Sequence, residues 1–237
     1  MIKEIDIEGH DTLDVISKAD RFNRWMYDTI SPYCQGKILE IGSGIGNISQ
    51  FFIAENKPIS LSDVRENYCS ILSNKYSKNK VIQLDLVDAD FEIKYQTLLN
   101  SFDTVFALNV IEHIENDSLA IQNCKKLLKK NGRLIILVPA YAFLFNEFDK
   151  SLEHFRRYNK NSLNRLVVQN QLIPIKSFYF NCVGILGWFV SGNLLKNKTI
   201  PEGQMGLYNK LVPLIKLIDK IVLNKIGLSV ITFSKKS

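Results

Sequence analysis

The sequence predicts an α/β protein built around a mainly parallel sheet with helices on both faces. Apolar runs typical of buried strands alternate with helical patterns along the first three quarters of the chain. One of these runs ends at three closely spaced glycines, and a helical pattern follows directly. The length of 237 residues and the 46% hydrophobic composition suit one globular domain with a substantial core.

The predicted elements begin with a helix over residues 12–31, which ends at Ser31-Pro32. Apolar runs then predict strands at residues 37–41, 58–63, 80–85, 102–109, 133–139, 173–180 and 228–233. Helical patterns lie between them after residue 47 and over residues 66–76, 117–130 and 162–171. Asn131-Gly132 is the predicted C-terminal stop of the third of these helices. Residues 184–226 are helical and basic in pattern.

The glycine turn carries the main functional signal. Gly42, Gly44 and Gly46 stand at a strand-to-helix turn, where the backbone can approach a ligand closely and free N–H groups point outward. A dinucleotide-binding turn would place its third glycine at position 47, which is Asn47. Glu40 beside the turn suits a ligand with a positive charge better than a pyrophosphate.

Polar residues also follow three later strands. Asp63, Asp85 and Asn109 stand where ligands bind in open parallel sheets, beyond the carboxyl ends of the strands. Asp63 lies 17 residues after Gly46, where a carboxylate can receive both hydroxyls of a ribose. The structural alternatives are a helix N-cap for Asp63 and an ordinary turn residue for Asp85.

The string Glu40-x-Gly42-x-Gly44-x-Gly46 resembles the first motif of class I S-adenosylmethionine-dependent methyltransferases, (D/E)-x-G-x-G-x-G. The resemblance implies S-adenosylmethionine as the cofactor and a Rossmann-like seven-stranded sheet with an antiparallel last strand. It places Asp85 at the adenine amino group and the backbone of Asn109 near the methionine end. The expected cofactor-binding residues are Arg24, Trp25, Glu40, Gly42, Ser43, Gly44, Gly46, Asn47, Asp63, Val64, Asp85, Leu86 and Asn109. A core role for Trp25 is an equal alternative.

The same resemblance implies a single methyltransferase domain with three parts. They are an N-terminal helical cover (1–36), a core (37–180 and 228–237), and a helical lid or insertion between strands six and seven (181–227). Further strings resemble a bacterial branch often encoded beside glycosyltransferases or natural-product pathways. These strings are residues 21–25, 139–145, 154–158, 180–181, 184, 187–188 and 201–204.

The expected acceptor-side residues are His113, Tyr141, His154 and Arg157. Asn109-x-x-Glu-His113 resembles a motif of small-molecule methyltransferases, in which His113 lines the reaction site or closes the loop structurally. His154 can remove a proton from a hydroxyl acceptor, and Arg157 or Arg156 can grip an anionic acceptor. An internal salt-bridge network is the alternative for the arginines, and packing is the alternative for Tyr141. We expect no metal, because the sequence shows no evident His/Asp/Glu cluster.

These observations predict O-methylation, on a hydroxyl or a carboxylate, of a small-molecule or peptide natural-product intermediate. One alternative is an acceptor that is lipid-linked or a glycan at the membrane surface. The other is a non-catalytic protein that binds the cofactor or docks a partner. An oxidoreductase that uses a nicotinamide cofactor is disfavoured by Asn47.

The net charge of +6 lies entirely in residues 183–237, which hold eight lysines against two acidic residues. The basic helix there allows a lid, a homodimer contact or weak association with a membrane surface. Val212, Leu217 and Leu223 interrupt its polar face and favour the first two. Nucleic-acid binding is not expected. The scattered cysteines, the charged N-terminus and the lack of a long apolar run predict a cytoplasmic protein without disulfides or a transmembrane segment.

Overall fold

The computed structural model describes residues 7–195, 197 and 201–237. Residues 1–6 of the expected N-terminal cover, and residues 196 and 198–200 of the expected insertion, lie outside the described residues. Within the described ranges, seven strands form one sheet in the order β3-β2-β1-β4-β5-β7-β6. The strands are β1 (Ile38–Ile41), β2 (Ile59–Asp63), β3 (Val81–Gln83), β4 (Phe102–Leu108), β5 (Leu128–Pro139), β6 (Leu172–Phe180) and β7 (Ser229–Lys236).

The directions of the strands confirm the predicted fold class. The four neighbouring pairs β3-β2, β2-β1, β1-β4 and β4-β5 are parallel. β7 runs antiparallel to both of its neighbours, β5 and β6. The carboxyl ends of β3, β2, β1 and β4 therefore lie side by side along one edge of the sheet.

The helices cover both faces of this sheet. They are α1 (Ile7–Ser17), α2 (Asp20–Ile30), α3 (Ser49–Ala54), α4 (Glu66–Lys75), α5 (Phe91–Lys94), α6 (Asp117–Leu127), α7 (Glu147–Ser151), α8 (Lys160–Gln169), α9 (Gly184–Trp188) and α10 (Glu202–Ile221). Side chains alternate along the strands, so Leu39 packs in one apolar cluster and Ile38 in the other. The first cluster includes residues of α6 and α8, and the second includes residues of α2, α3 and α10.

Two predicted helix boundaries were wrong. The helix predicted over residues 12–31 is two helices, α1 and α2. The helix predicted to end at Asn131-Gly132 ends at Leu127, because buried Leu128 already pairs with Phe102 on β4. Asn131 has a φ of 64°, close to the point where the register between β4 and β5 shifts. The turn residues therefore form an irregularity within a long strand.

The described residues between β6 and β7 are mostly helical: a π-helical segment (Phe189–Leu194) follows α9 directly, and α10 begins at Glu202. α10 packs on α2 through Tyr208, whose ring lies 5.7 Å from that of Phe22. Over residues 7–195, 197 and 201–237, we find no helix with the length and apolarity needed to cross a membrane.

Candidate active site

The glycine turn after β1 has a backbone that most residues could not adopt. Gly42, Gly44 and Gly46 have φ values of 66°, 54° and 84°, in the left-handed region that favours glycine. The turn is also closely packed. A Cβ at position 42 would lie 2.5 Å from Val110, and one at position 44 would lie 2.9 Å from Leu13 of α1. Side chains are excluded here, so the backbone itself forms the surface of the turn.

Hydrogen bonds fix the turn to β2 and to α1. The N–H of Ser43 donates to the carbonyl of Ser62 (2.8 Å), and the hydroxyl of Ser43 accepts from the N–H of Ser62 (3.2 Å). Asn47 donates its side-chain N–H to the carbonyl of Leu13 at 3.0 Å. Asn47 therefore binds α1 over the turn, which explains why it can stand where a dinucleotide-binding turn would have glycine.

Asp63 ends β2 with its side chain turned to the glycine turn. It is only 5% exposed and accepts the N–H groups of Gly44 (3.0 Å) and Arg65 (3.1 Å). Burial raises the pKa of Asp63. Arg65, not Asp63, is the N-cap residue of α4, so the N-cap alternative does not hold. An ionised carboxylate offers about four acceptor sites, so about two remain after these bonds.

Glu40 lies on β1 just before the turn and is buried. The hydroxyl of Ser49, the first residue of α3, donates to its carboxylate. Burial raises the pKa of Glu40 to about 7. This bond ties the start of α3 to β1 and thereby shapes the exit from the turn.

The remaining expected cofactor residues lie at neighbouring strand ends. Asp85 follows β3 and accepts the N–H of Val87 at 2.9 Å. Leu86 is buried in the core, and Val64, directly after Asp63, accepts at its carbonyl from Gln83. Asn109 is exposed after β4 with a φ of 53°. The edge formed by these four strands therefore brings the predicted set together, apart from two residues.

The structure corrects the expected cofactor-binding role of those two residues, Arg24 and Trp25. Trp25 is buried in the core, with its ring 4.1 Å from that of Phe180. Arg24 pairs with Asp28 and Glu55, and Glu55 lies at the end of α3 remote from the glycine turn. Neither lies over the turn. Leu13 of α1 occupies that place, and an isolated leucine in an amphipathic helix gave no signal in the sequence.

A cluster of ionisable side chains lies next to this edge, where a 3-10 turn (Ile111–His113) follows β4. One ligating atom each of Glu112, His113 and His154 lie within 4.8 Å of one another. The two imidazole rings meet edge to face, with centroids 4.5 Å apart. The sequence analysis missed this cluster because His154 lies 41 positions further along the chain than His113.

Burial and neighbouring charges perturb two members of this cluster. Glu112 is fully buried, and burial raises its pKa to about 8, which the nearby Asp149 reinforces and Arg157 opposes. His113 keeps solvent-exposed surface, yet desolvation of its ring and the adjacent His154 hold the pKa of His113 below its usual range.

Asp149 on α7 organises the loop that carries His154. Its Oδ1 lies 2.8 Å from Nδ1 of His154 and accepts from Nε of Arg157 at 2.8 Å. Because a carboxylate only accepts, Nδ1 of His154 carries the hydrogen and Nε2 remains available. The α7 loop thus fixes the ring orientation of His154.

Arg157 is not placed to grip an acceptor, which corrects its predicted role. Its side chain is 0% exposed, donates to Asp149 and to the carbonyl of Ala140 (3.0 Å), and stacks on Trp188. Arg156 pairs with Asp117 at 2.8 Å. Both arginines belong to the internal network that the sequence analysis gave as the alternative.

Tyr141 makes packing contacts of the kind that the sequence analysis gave as its alternative. Its ring stacks on Tyr179 (5.0 Å between centroids) and Phe143 (5.4 Å). Burial and Tyr179 raise the pKa of Tyr141 to about 12. These contacts hold the ring beside β6, and the contact with an acceptor stays a prediction.

Comparisons with known proteins bear on this edge of the sheet. Residues 39–136 match a family model described as "Methyltransferase domain". That segment contains the glycine turn, Asp63, Asp85 and the Asn109–His113 motif.

Two curated relatives and one solved structure extend the likeness. The chain is 21% identical over 166 residues to a Mycobacterium tuberculosis protein named "Probable S-adenosylmethionine-dependent methyltransferase" (69% of this chain, 58% of that protein). It is 25% identical over 122 residues to a highly reducing polyketide synthase of Pyrenophora dematioidea, across 47% of this chain and 5% of the synthase. The fold resembles a SAM-dependent methyltransferase of Archaeoglobus fulgidus with a TM-score of 0.58, 16% identity and coverage of 90% and 94% of the two chains.

The chain thus spans less than two thirds of the length of these curated relatives. These matches make the chain similar to S-adenosylmethionine-dependent methyltransferases, whose cofactor is S-adenosylmethionine. The geometry agrees with that cofactor, because the two acceptor sites left on Asp63 suit the paired hydroxyls of a ribose.

Proposed function

We propose that the protein is an S-adenosylmethionine-dependent O-methyltransferase that acts on a natural-product intermediate, either a small molecule or a peptide. The observation that carries the proposal is the meeting of two groups at one edge of the sheet. The glycine turn with Asp63 forms the cofactor side, and the Glu112–His113–His154 cluster forms the acceptor side. The polyketide-synthase relative and the resemblance to a bacterial branch beside biosynthetic pathways support this class of acceptor.

The roles follow from these contacts. When bound, the cofactor supplies a methyl group on a positively charged sulfur. Asp63 binds the ribose hydroxyls, Asp85 contacts the adenine, and the glycine turn presents backbone N–H groups. A hydroxyl acceptor must lose its proton, and Nε2 of His154 is the nitrogen that Asp149 leaves free to take it. A carboxylate acceptor needs only positioning.

Contacts of the first half of the insertion indicate that it covers the α7 loop, which carries His154. Trp188 of α9 packs on Phe148 of α7, with ring centroids 4.8 Å apart. Asn193 accepts a hydrogen bond from Asn146 at 2.9 Å. We therefore assign residues 184–195 to the lid and α10 to a different task.

Incubation of a cell extract with the protein and cofactor carrying a deuterated methyl group tests this proposal. We expect one low-molecular-mass species to gain the labelled methyl group in mass spectrometry, and a smaller gain with Asp63→Asn at the same subsaturating cofactor concentration. A label that appears only on nucleic acid or large proteins would contradict the acceptor class, and no label with cofactor-loaded protein would contradict the activity.

A second candidate is an acceptor presented at an anionic membrane surface, and α10 favours it. Met205, Val212 and Ile215 face inward and are buried. The outward face is apolar and carries the exposed residues Leu207, Leu211, Leu214, Leu217 and Ile221. The sequence analysis expected Val212 to interrupt the polar face of this helix. That expectation was wrong, because Val212 is buried in the core.

Charge complementarity favours an anionic lipid surface as the partner of this outward face. Lys210 and Lys220 are exposed on the same helix, within the region that holds the whole net positive charge. An apolar stripe beside lysines is typical of helices that lie in the interface of anionic membranes. We propose that α10 rests on such a surface and presents the site to a lipid-linked acceptor.

Co-sedimentation with vesicles tests this second candidate. We expect binding to phosphatidylglycerol vesicles but not to phosphatidylcholine vesicles, and loss of binding in the double variant Leu211→Glu and Leu214→Glu. Ile93→Glu, which changes an exposed isoleucine on α5, is the matched control and should bind normally. A dimer in solution that the double variant dissociates would assign the stripe to a second copy instead.

A further inference from the structure

The Glu112 carboxylate has no partner that explains its burial. The side chain is 0% exposed, and neither oxygen has a hydrogen-bond partner among the described residues. Burying a carboxylate without a partner is costly, and proteins normally pair such a group or use it to coordinate a metal. Arg157 lies near enough to influence Glu112 electrostatically, yet it bonds to Asp149 and Ala140 instead.

The protein engages one ring nitrogen of His154. Its Nδ1 lies 2.8 Å from Oδ1 of Asp149. Metal-binding histidines are held in this way, with the second nitrogen bonded to a carboxylate or a carbonyl. Asp149 is itself fixed by Arg157 and by the N–H of Asn146. One potential ligand atom of each of the two imidazoles lies within 4.8 Å of a Glu112 oxygen.

We propose that Glu112, His113 and His154 bind a divalent transition-metal cation through one carboxylate oxygen and two imidazole nitrogens. Two imidazoles with one carboxylate suit cations such as Zn²⁺, Co²⁺, Mn²⁺ or Fe²⁺. Mg²⁺ prefers a shell of oxygen ligands and keeps several waters, so it suits this donor set less well. Three protein ligands also leave positions for an oxygen of an acceptor.

The distances require the cluster to close. In a tetrahedral site, ligand atoms that each lie about 2.1 Å from the cation are about 3.4 Å apart. The three atoms lie within 4.8 Å of one another, so the widest pair needs to approach by up to about 1.4 Å. His113 is the exposed member of the three and is the side chain with most room to move.

The site stands independently of the proposed methyl transfer, although the two meet at His154. A bound cation occupies the ring nitrogen that would otherwise receive the acceptor proton. With the cation present, His154 would be a ligand, and an acceptor hydroxyl bound to the cation would release its proton to solvent water, which reaches the exposed His113 side of the cluster. Without the cation, His154 remains the proton acceptor.

Titration of chelator-treated protein with Co²⁺ tests the site without any cofactor or acceptor. We expect one Co²⁺ per chain, seen as visible absorption bands that Zn²⁺ removes and excess Mg²⁺ does not. Glu112→Gln and His154→Gln should each weaken Co²⁺ binding at least about tenfold. His10→Gln is the control: it changes the one histidine of the sequence outside the cluster, which stacks on Tyr68, and it should bind Co²⁺ like the wild type.

Several outcomes would overturn the proposal. They are absence of the absorption bands, equal binding by all variants, or loss of binding in His10→Gln. Circular dichroism of each variant shows whether it is folded, and the two ligand variants provide independent readings. Separate calorimetry with S-adenosylmethionine keeps the conclusions apart. Cofactor binding without Co²⁺ binding rejects the cation site alone, and Co²⁺ binding without cofactor binding rejects the proposed function alone.

Discussion

At the scale of single residues, Glu40 couples the site to pH. Burial raises the pKa of Glu40 to about 7, so the folded protein keeps a proton that the unfolded chain releases at a lower pH. The stabilising contribution is complete below the unfolded pKa and is lost as the pH rises through about 7. Glu40→Gln removes the titrating group but keeps its shape.

When the pH rises from about 5 to about 8, the free energy of unfolding should therefore fall less in Glu40→Gln than in the wild type. We expect the two decreases to differ by on the order of 2–3 kcal/mol. Urea unfolding at both pH values measures this difference. Glu92→Gln, which changes an exposed carboxylate on α5, should follow the wild type. Equal losses in wild type and Glu40→Gln would show that Glu40 is ionised in the folded protein at both pH values.

The adjacent residues Arg156 and Arg157 should differ sharply in stability. Arg157→Ala removes a fully buried partner of Asp149 and should cost about 3–5 kcal/mol. Arg156→Ala breaks a partly exposed pair and should cost at most about 1 kcal/mol. Thermal unfolding of the two variants provides the comparison. A stable Arg157→Ala protein that has lost only activity would return Arg157 to the acceptor site.

At the scale of elements, α1 is a weakly anchored cover over the glycine turn. It has no buried residue, yet Leu13 packs on Gly44 and its carbonyl accepts from Asn47. Elements with few buried contacts open easily, and a ligand that fills the turn beneath α1 changes what the helix rests on.

Hydrogen exchange should therefore report cofactor binding at α1. We expect S-adenosylhomocysteine to alter amide exchange in α1 and to leave α8 unchanged, since α8 lies on the other face of the sheet. Mass-spectrometric detection resolves both helices. Exchange in α1 that is insensitive to a saturating ligand would remove α1 from the cofactor side.

The boundaries of the helices and strands show what the local sequence can and cannot predict. All strands except β5 and β7 were predicted to within about two residues at each end. The apolar runs of these well-predicted strands are bounded by turn residues, which mark where a strand ends. The junction of α6 and β5 was misplaced because Leu128 belongs to a strand pairing that only the neighbouring β4 defines. Asn131-Gly132 is a local turn signal, and a tertiary contact overrode it.

At the scale of the whole molecule, the sequence predicted the sheet and the placement of the glycine turn, Asp63 and Asp85. Each of these depends on a short segment at the end of one strand. The cluster of Glu112, His113 and His154 joins segments far apart in sequence, so its proximity could not be predicted. The positions of Arg24, Trp25 and Arg157 were wrong for the same reason, because Glu55, Phe180 and Asp149 determine them.

Calorimetry with S-adenosylmethionine, S-adenosylhomocysteine and NAD tests the central claim, that the edge with the glycine turn and Asp63 binds a sulfonium nucleoside. We expect micromolar binding of both sulfur compounds, no binding of NAD, and affinity at least about tenfold weaker in Asp63→Asn. Asp103→Asn changes a carboxylate at the opposite end of β4 and should bind like the wild type. Binding of NAD alone, or equal affinity in Asp63→Asn and wild type, would contradict the account.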